Sequence, residues 1–215
     1  MPTDTDRARP RFARLYMRAA ERADQRGGAE HRRRLLEGLR GTVLEIGPGH
    51  GANFASYPAG VTEVIAVEPE PTLREAAIAA AARAPTPIRV VAGSADRIPL
   101  ADGSVDAAVT SLVLCSVPSQ ASALAQLRRV LRADGELRFY EHVVADSQPK
   151  RLLLQALDRS GIWSAVAGGC HPARDTTSAI EEAGFEIVRC ERFMFATSRF
   201  EPSIPYILGS ARVSS

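Results

Sequence analysis

Along this chain, short apolar runs alternate with longer stretches in which apolar residues recur every three to four positions. The N-terminal part reads as helix. Phe12, Leu15, Tyr16, Ala19 and Ala20 fall close to one stripe, which predicts a helix over 12–23. Residues 25–28 interrupt it, and a second helix is expected over 30–39 with Gly41 as its stop. Then the period shortens. TVLEI (42–46), VTEVIAVE (61–68), IRVVAG (88–93), VDAAVTSLVL (105–114) and ELRFYEHVV (136–144) read as strands. PTLREAAIAAAARA (71–84), with Pro71 near its first turn, and SQASALAQLRRVLRADG (119–135), ended by Asp134-Gly135, read as helices between them. Further helices are expected over 152–157 and 176–183. GFEIVRCERF (184–193) and YILGSARV (206–213) read as two last strands. Strands alternating with helices of this length predict a mostly parallel sheet covered on both faces. The final strand pair predicts an antiparallel hairpin at one edge.

The 215 residues suit one domain, and a hydrophobic share of 45% supplies a sizeable core. A net charge of +2 neither favours nor excludes nucleic acid or membrane. Of 27 basic residues only Lys150 is a lysine, which reads as a bias toward arginine before it reads as an anion-binding surface. The run Arg32 to Arg34 is placed on a solvated helix face. Cys115, Cys170 and Cys190 are widely spaced with no CxxC, so neither a structural zinc site nor a disulfide framework is expected. No apolar run opens the chain, so a signal peptide or membrane anchor is not expected and the cytoplasm is the default. Met1 to Pro10 is polar and is expected to be loosely attached.

Chemistry concentrates in VLEIGPGHGANF (43–54), which follows a predicted strand. Gly47, Gly49 and Gly51 let the backbone turn tightly or approach something closely. Their spacing is neither the dinucleotide G-x-G-x-x-G nor a P-loop, so the loop suits a nucleoside ligand without phosphate. The next strand ends at Glu68, about twenty residues on, where a carboxylate can accept both hydroxyls of a ribose.

These stretches carry a resemblance. VLEIGPGHG followed by VIAVEPEP resembles the first two motifs of the class I S-adenosylmethionine-dependent methyltransferases. VVAGSADRIPLADGSVDAAVTSLVL and LRRVLRADGELRFYEHV resemble that family's later motifs, so the likeness runs over residues 35–145. It implies that Glu45, Gly47, Gly49, Gly51 and Asn53 line the methionine end of the cofactor. Glu68 would hold the ribose, and Pro69 would pack near the adenine. Ser94, Ala95 and Asp96 would form the adenine edge, with the Ala95 N–H toward a ring nitrogen and Asp96 in place of the acidic residue often found at position 94. Ser111 and Leu112 would close the other side, with Leu112 over the ring. Tyr16 either closes over the cofactor or packs on the sheet. His50 reads as a local backbone partner.

LVLCSV, RRVLR, EHV, GC followed by an arginine and a threonine, and the GF before the sixth strand resemble one narrower branch, the thiol S-methyltransferases of the methyltransferase-like family. Any acceptor must be aligned with the methyl and the leaving sulfur. A thiol needs little more, because its pKa near 8.5 already leaves some thiolate. His142, at the end of the fifth strand, is the first candidate for base or acceptor-orienting residue. His171, in a glycine-rich loop, is the second. Cys115 and Cys170 read as packing, with no motif for a second reactive cysteine nearby. Arg174 either pairs with an acceptor or lies on the surface, and Ile162 and Trp163 are candidate pocket walls.

The expectation is therefore a doubly wound α/β fold with seven mostly parallel strands in the order 3-2-1-4-5-7-6. Residues 1–40 would form an N-terminal helical segment that could act as a lid, and 41–215 the cofactor-binding domain. The reaction would transfer methyl from S-adenosyl-L-methionine to a small-molecule acceptor, a thiol first, with no metal. O-, N- or C-methylation of a natural product or quinone is the alternative. A non-catalytic S-adenosylmethionine-binding protein or a cyclase is the reading from another class. No Asn/Asp-Pro-Pro-Tyr/Phe motif follows strand four, so nucleic acid is not an expected partner. Stable membrane insertion is not expected either, and the assembly would be a monomer or homodimer.

Overall fold

The computed structural model describes residues 8–145, 148–159, 169–171, 173–197 and 203–214. Two helices come first, α1 (Pro10–Ala23) and α2 (Ala29–Leu36), joined by a π-helical turn at Asp24–Gly28. Then follow β1 (Gly41–Ile46), β2 (Val61–Glu68), α3 (Pro71–Ala81), β3 (Ile88–Ala92), β4 (Val105–Ser111), α4 (Gln120–Val130), β5 (Leu131–His142), α5 (Gln148–Arg159), α6 (Thr176–Glu182), β6 (Phe185–Phe195) and β7 (Ile204–Val213).

The strands form one sheet in the order β3-β2-β1-β4-β5-β7-β6. The first five pair in parallel, and β7 runs antiparallel to both β5 and β6. Both faces are buried, so the inner strands read as continuous apolar runs. Neighbouring residues go to opposite sides. Leu44, Ile65, Val67, Phe139 and Ile207 pack with α4 and α6, through Leu124, Leu127, Val130 and Ile180. Val43, Val64, Ala66, Tyr140 and Leu208 pack with α2 and α3, through Leu35, Leu36 and Ala77.

Among the described residues, side-chain caps start three helices. Glu70, Ser119 and Asp175 accept from the N–H groups of Leu73, Ser122 and Ser178 at 2.6, 3.1 and 3.2 Å. The helix ends depart from the sequence expectation. α2 stops at Leu36, because Gly38 takes a φ of 79°, and Gly41 already belongs to β1. α4 stops at Val130, because Leu131 is extended (φ −70°, ψ 141°) and pairs with Val105, so Asp134-Gly135 falls within β5. β4 stops at Ser111, because Leu112 is left-handed (φ 61°) and its N–H turns to the Tyr140 carbonyl at 2.7 Å. α1 begins at Pro10 instead of Phe12, and the Arg9 N–H is held by Glu70 at 2.6 Å. The remainder of the expected loose terminus, 1–7, lies outside the described residues.

The arginine run is not uniformly solvated. Arg32 falls on the same helix stripe as Leu35 and Leu36, is only 8% exposed and pairs with Asp24. Arg34 pairs with Glu191 of β6, and Arg33 alone stays exposed, on Glu30. Among the described residues no helix is long and apolar enough to cross a membrane.

Candidate functional site

The carboxyl ends of β1, β2, β4 and β5 share one edge of the sheet, and the strand order reverses between β1 and β4. In open α/β sheets that is where ligands bind. β1 runs directly into the glycine loop. Gly47, Gly49 and Gly51 have φ of 59°, 60° and 85°, a region closed to most other residues. The loop is also crowded by the protein itself. A Cβ at Gly47 would lie 2.7 Å from Val113, at Gly49 2.8 Å from Tyr16, and at Gly51 2.6 Å from Phe54. The close approach inferred from the glycines is thus made in part by the chain's own side chains.

Two buried carboxyls hold this loop. Glu45 accepts from Asn53 Nδ2 and from the Tyr57 hydroxyl, both at 2.7 Å. Glu45 therefore braces the loop from behind. Burial pushes it up to about 7 in spite of these bonds. Glu68, at the end of β2, accepts from the N–H of Gly49 at 2.9 Å and of Glu70 at 3.0 Å, and burial pushes it to about 7 as well. Tyr16 of α1 stands on Gly49 and edge-on to His50, at 6.1 Å between ring centroids. Burial, and then the nearby Glu68, raise its phenol to about 12.

The residues at this edge fit S-adenosylmethionine. The Glu68 carboxylate keeps lone pairs beyond its two backbone donors, as a ribose diol requires. Asn53 Oδ1 is buried with no partner among the described residues, an acceptor suited to an ammonium group. His50 Nδ1 is likewise buried and unpartnered there, not bonded to local backbone as expected. Pro69 and Glu68 have their carbonyls held by Arg74 at 3.1 and 3.0 Å. Ser94 bridges to Arg97, Ala95 packs on the core, and Asp96 is exposed. Ser111 ends β4, and Leu112 packs on the α2 face of the sheet.

Three elements farther along the edge converge. Tyr140 and His142 lie on one face of β5, both against Tyr206, and Glu141 points to the other. Tyr140 stacks on Tyr206 at 5.3 Å and its hydroxyl meets His31 Nδ1 at 3.2 Å. His31 in turn lies against Phe193 and Phe195, at 4.5 and 4.8 Å, so the α2 side of this edge is aromatic. Glu141, fully buried, accepts from the N–H groups of Val113, Leu114 and Cys115 at 3.1, 3.1 and 3.2 Å. His142 packs edge-on against Tyr206 at 4.4 Å. Its Nδ1 lies 3.1 Å from Cys170 Sγ and 3.6 Å from Cys115 Sγ. The Cys170 thiol, then burial, push the Cys115 thiol well above its ordinary range.

This cluster places the two buried cysteines together, each beside His142. No spacing motif could reveal it, because the three residues come from separate parts of the chain. Arg174 is half-buried and not simply a surface group. Its Nη1 donates to the carbonyls of Leu114 and Val117 at 2.9 and 2.6 Å, which braces the loop that carries Cys115. His171 is turned to Asp158, with Nδ1 to Oδ1 at 2.6 Å, and its backbone N–H donates to the Cys115 carbonyl at 2.7 Å. Ile162 and Trp163 lie outside the described residues.

Residues 44–139 match the family described as "Methyltransferase domain". The chain is 38% identical over 181 residues to the mouse thiol S-methyltransferase TMT1B, covering 82% of this chain and 73% of that protein. It is 36% identical over 174 residues to the human thiol S-methyltransferase TMT1A, covering 79% and 70%. Among solved structures, a geranyl diphosphate methyltransferase in complex with SAM superposes with a TM-score of 0.67 at 16% identity, covering 89% of this chain and 85% of that one.

Proposed function

The chain belongs to the thiol S-methyltransferases, a branch of the class I S-adenosylmethionine-dependent methyltransferases, and we propose that the atom it methylates is the sulfur of a small, fairly apolar thiol. Bound S-adenosylmethionine supplies an electrophilic methyl on a sulfonium sulfur. The chain's own residues hold and align the two partners. Glu68 accepts the ribose hydroxyls, and Asn53 Oδ1 accepts from the methionine ammonium. Buried Arg32, beside Glu45 and Tyr16, offers a positive charge to the methionine carboxylate. The Ala95 N–H and Leu112 meet the adenine. Tyr16 closes α1 over the glycine loop, so residues 1–40 act as a lid on the domain formed by 41–215.

The observation that carries the acceptor reading is His142. It ends β5 on the same edge as the cradle, flanked by the Tyr206 ring and two thiols. There it orients the acceptor, and His171, paired to Asp158, is a secondary support. A thiol is partly ionised near neutral pH and needs alignment more than a strong base. Free cysteines at 115, 170 and 190 suit a reducing compartment, and we place the enzyme in the cytoplasm.

Calorimetric titration with S-adenosylmethionine, followed by turnover against small thiols, phenols and amines, tests this. The expected result is saturable binding and turnover with alkyl thiols above the other classes. His142→Ala should then lower kcat/KM for the thiol by about 100-fold with cofactor affinity kept. Turnover with phenols or amines alone would discard the thiol and leave the methyltransferase standing.

A further inference from the structure

Cys115 and Cys170, to which the alignment chemistry above gives no role, form a donor set with His142. Their ligand atoms, two thiol sulfurs and an imidazole nitrogen, all lie within 4.8 Å of one another, and both cysteines are buried. In a tetrahedral zinc site, Zn–S bonds of about 2.3 Å and Zn–N bonds of about 2.0–2.1 Å put ligand atoms about 3.5–3.8 Å apart. The 3.1 and 3.6 Å separations from His142 Nδ1 need only small adjustments to reach that.

The three positions are also braced by groups that do not ligate. Glu141 holds the Cys115 N–H, Arg174 holds the carbonyls of Leu114 and Val117, and the Tyr206 ring backs His142. The His171 N–H bond to the Cys115 carbonyl ties the segment of Cys170 to the loop of Cys115. Two thiolates balance a divalent cation, so the assembled site buries no net charge. Three protein ligands leave one position open, the pattern of catalytic and not structural zinc.

We propose that Cys115, His142 and Cys170 bind one zinc ion, and that its open fourth position takes the acceptor thiol as thiolate. The second half rests on the thiol reading. On coordination the acceptor S–H proton leaves to solvent, because a thiol bound to the cation is deprotonated. The sulfur lone pair then forms the new S–CH3 bond while the sulfonium C–S bond breaks, and that bond's electron pair stays on the departing sulfur. The product thioether is neutral and a poorer ligand, which favours its release. His142 binds through Nδ1 and keeps its proton on Nε2.

The test uses the full chain, reduced, stripped with a chelator and titrated with cobalt(II) as a spectroscopic stand-in for zinc. One equivalent should produce thiolate-to-cobalt charge-transfer absorbance and the visible bands of a tetrahedral ion. Cys170→Ser and His142→Ala should each weaken binding by at least about 100-fold, beyond the 10–100-fold of losing an outer-shell partner. Retained S-adenosylmethionine binding shows that each variant is folded. Cys190→Ser, at an exposed thiol, should change nothing. Addition of propanethiol should then shift the visible bands. Cofactor binding without cobalt binding overturns the site. Cobalt binding unmoved by propanethiol, in a chain that methylates thiols, overturns the open-position role. Cobalt binding with neither a band shift nor thiol turnover supports the metal site and discards the thiol reading.

Discussion

The cofactor cradle and the acceptor edge meet at the same end of one sheet, yet they are built differently. In the cradle the bracing bonds are short in sequence. Glu45 reaches Asn53 and Tyr57, 8 and 12 residues on, and Glu68 reaches back 19 to Gly49. At the acceptor edge Glu141 reaches 26 residues back to Cys115, His142 28 forward to Cys170, and Arg174 60 back to Leu114. The cradle is thus nearly a local motif, held by carboxyls to side chains and loop N–H groups. The acceptor edge exists only once β5, the loop after β4 and the segment before α6 have come together. It should be the more fragile of the two, and the more specific to this chain.

The largest effect should come from Glu141→Ala. It leaves three buried N–H groups without an acceptor, at about 1–3 kcal/mol each, less whatever water can enter. Denaturant unfolding should show a loss of about 3–5 kcal/mol. Near-wild-type stability would mean the loop after β4 is not hung on Glu141. In whatever fraction folds, thiol turnover should fall further than cofactor affinity, and an equal fall in both would erase the distinction between the two regions.

The pH dependence separates the regions next. Burial raises Glu45 and Glu68 from 4.5 to about 7, and raises Glu141 in the same direction. A carboxyl raised in the folded state favours the protonated form there. Its contribution is fully present below the unfolded value and is lost as pH rises through the folded one. Stability of the cofactor-free protein should therefore fall between about pH 4.5 and 7, by about 3 kcal/mol at most for Glu45 and for Glu68. Saturating S-adenosylmethionine should flatten the part due to Glu68, whose ionised form accepts the ribose hydroxyls, and leave the rest. Thermal melts across that window, with and without cofactor, would show it. Identical slopes would remove Glu68 from the ribose.

Glu68→Gln, smaller still, isolates the cradle. Each bond to a charged acceptor is worth about 1.5–3 kcal/mol. Cofactor affinity should drop by about 10- to 100-fold, read by calorimetry, while any cobalt binding at the cysteine cluster stays unchanged. Wild-type affinity would sink the ribose assignment.

The locality of the bonds also explains what could be read from the residues alone. The parallel sheet, its hairpin edge and the pairing of the glycine loop with Glu68 follow from patterns a few to twenty residues long, while the strand order is implied by the family resemblance alone. The acidic residue two places before Gly47 is legible too, though not its partner Tyr57. The helix and strand ends were missed where a single backbone conformation decides, as at Gly38, Leu112 and Leu131. The acceptor edge was half legible. His142 stands out as the residue ending a strand at the active edge. Cys115, Cys170 and Arg174 do not, because only the fold brings them to it. Arg32 was misplaced because charge suggested solvent, where its helix stripe, shared with Leu35 and Leu36, pointed inward.

Contacts on the glycines break the cradle's local character, and the smallest effect tests the one made by α1. Tyr16 lies 33 positions before Gly49 and comes from a different element, yet a Cβ on Gly49 would sit 2.8 Å from its ring and 3.0 Å from its hydroxyl. Gly49→Ala therefore has two consequences. The left-handed backbone at 60° costs about 1–2 kcal/mol for any L-residue. The added methyl also displaces Tyr16, and with it α1. Tyr16→Ala in the same chain should recover the second part and not the first. Its signature is a coupling of at least about 0.5 kcal/mol between the two substitutions, in stability and again in cofactor affinity. Coupling in both readouts makes α1 a working part of the cradle. Coupling in stability alone makes it packing, and strict additivity in both leaves the glycine loop a self-contained motif that α1 merely passes.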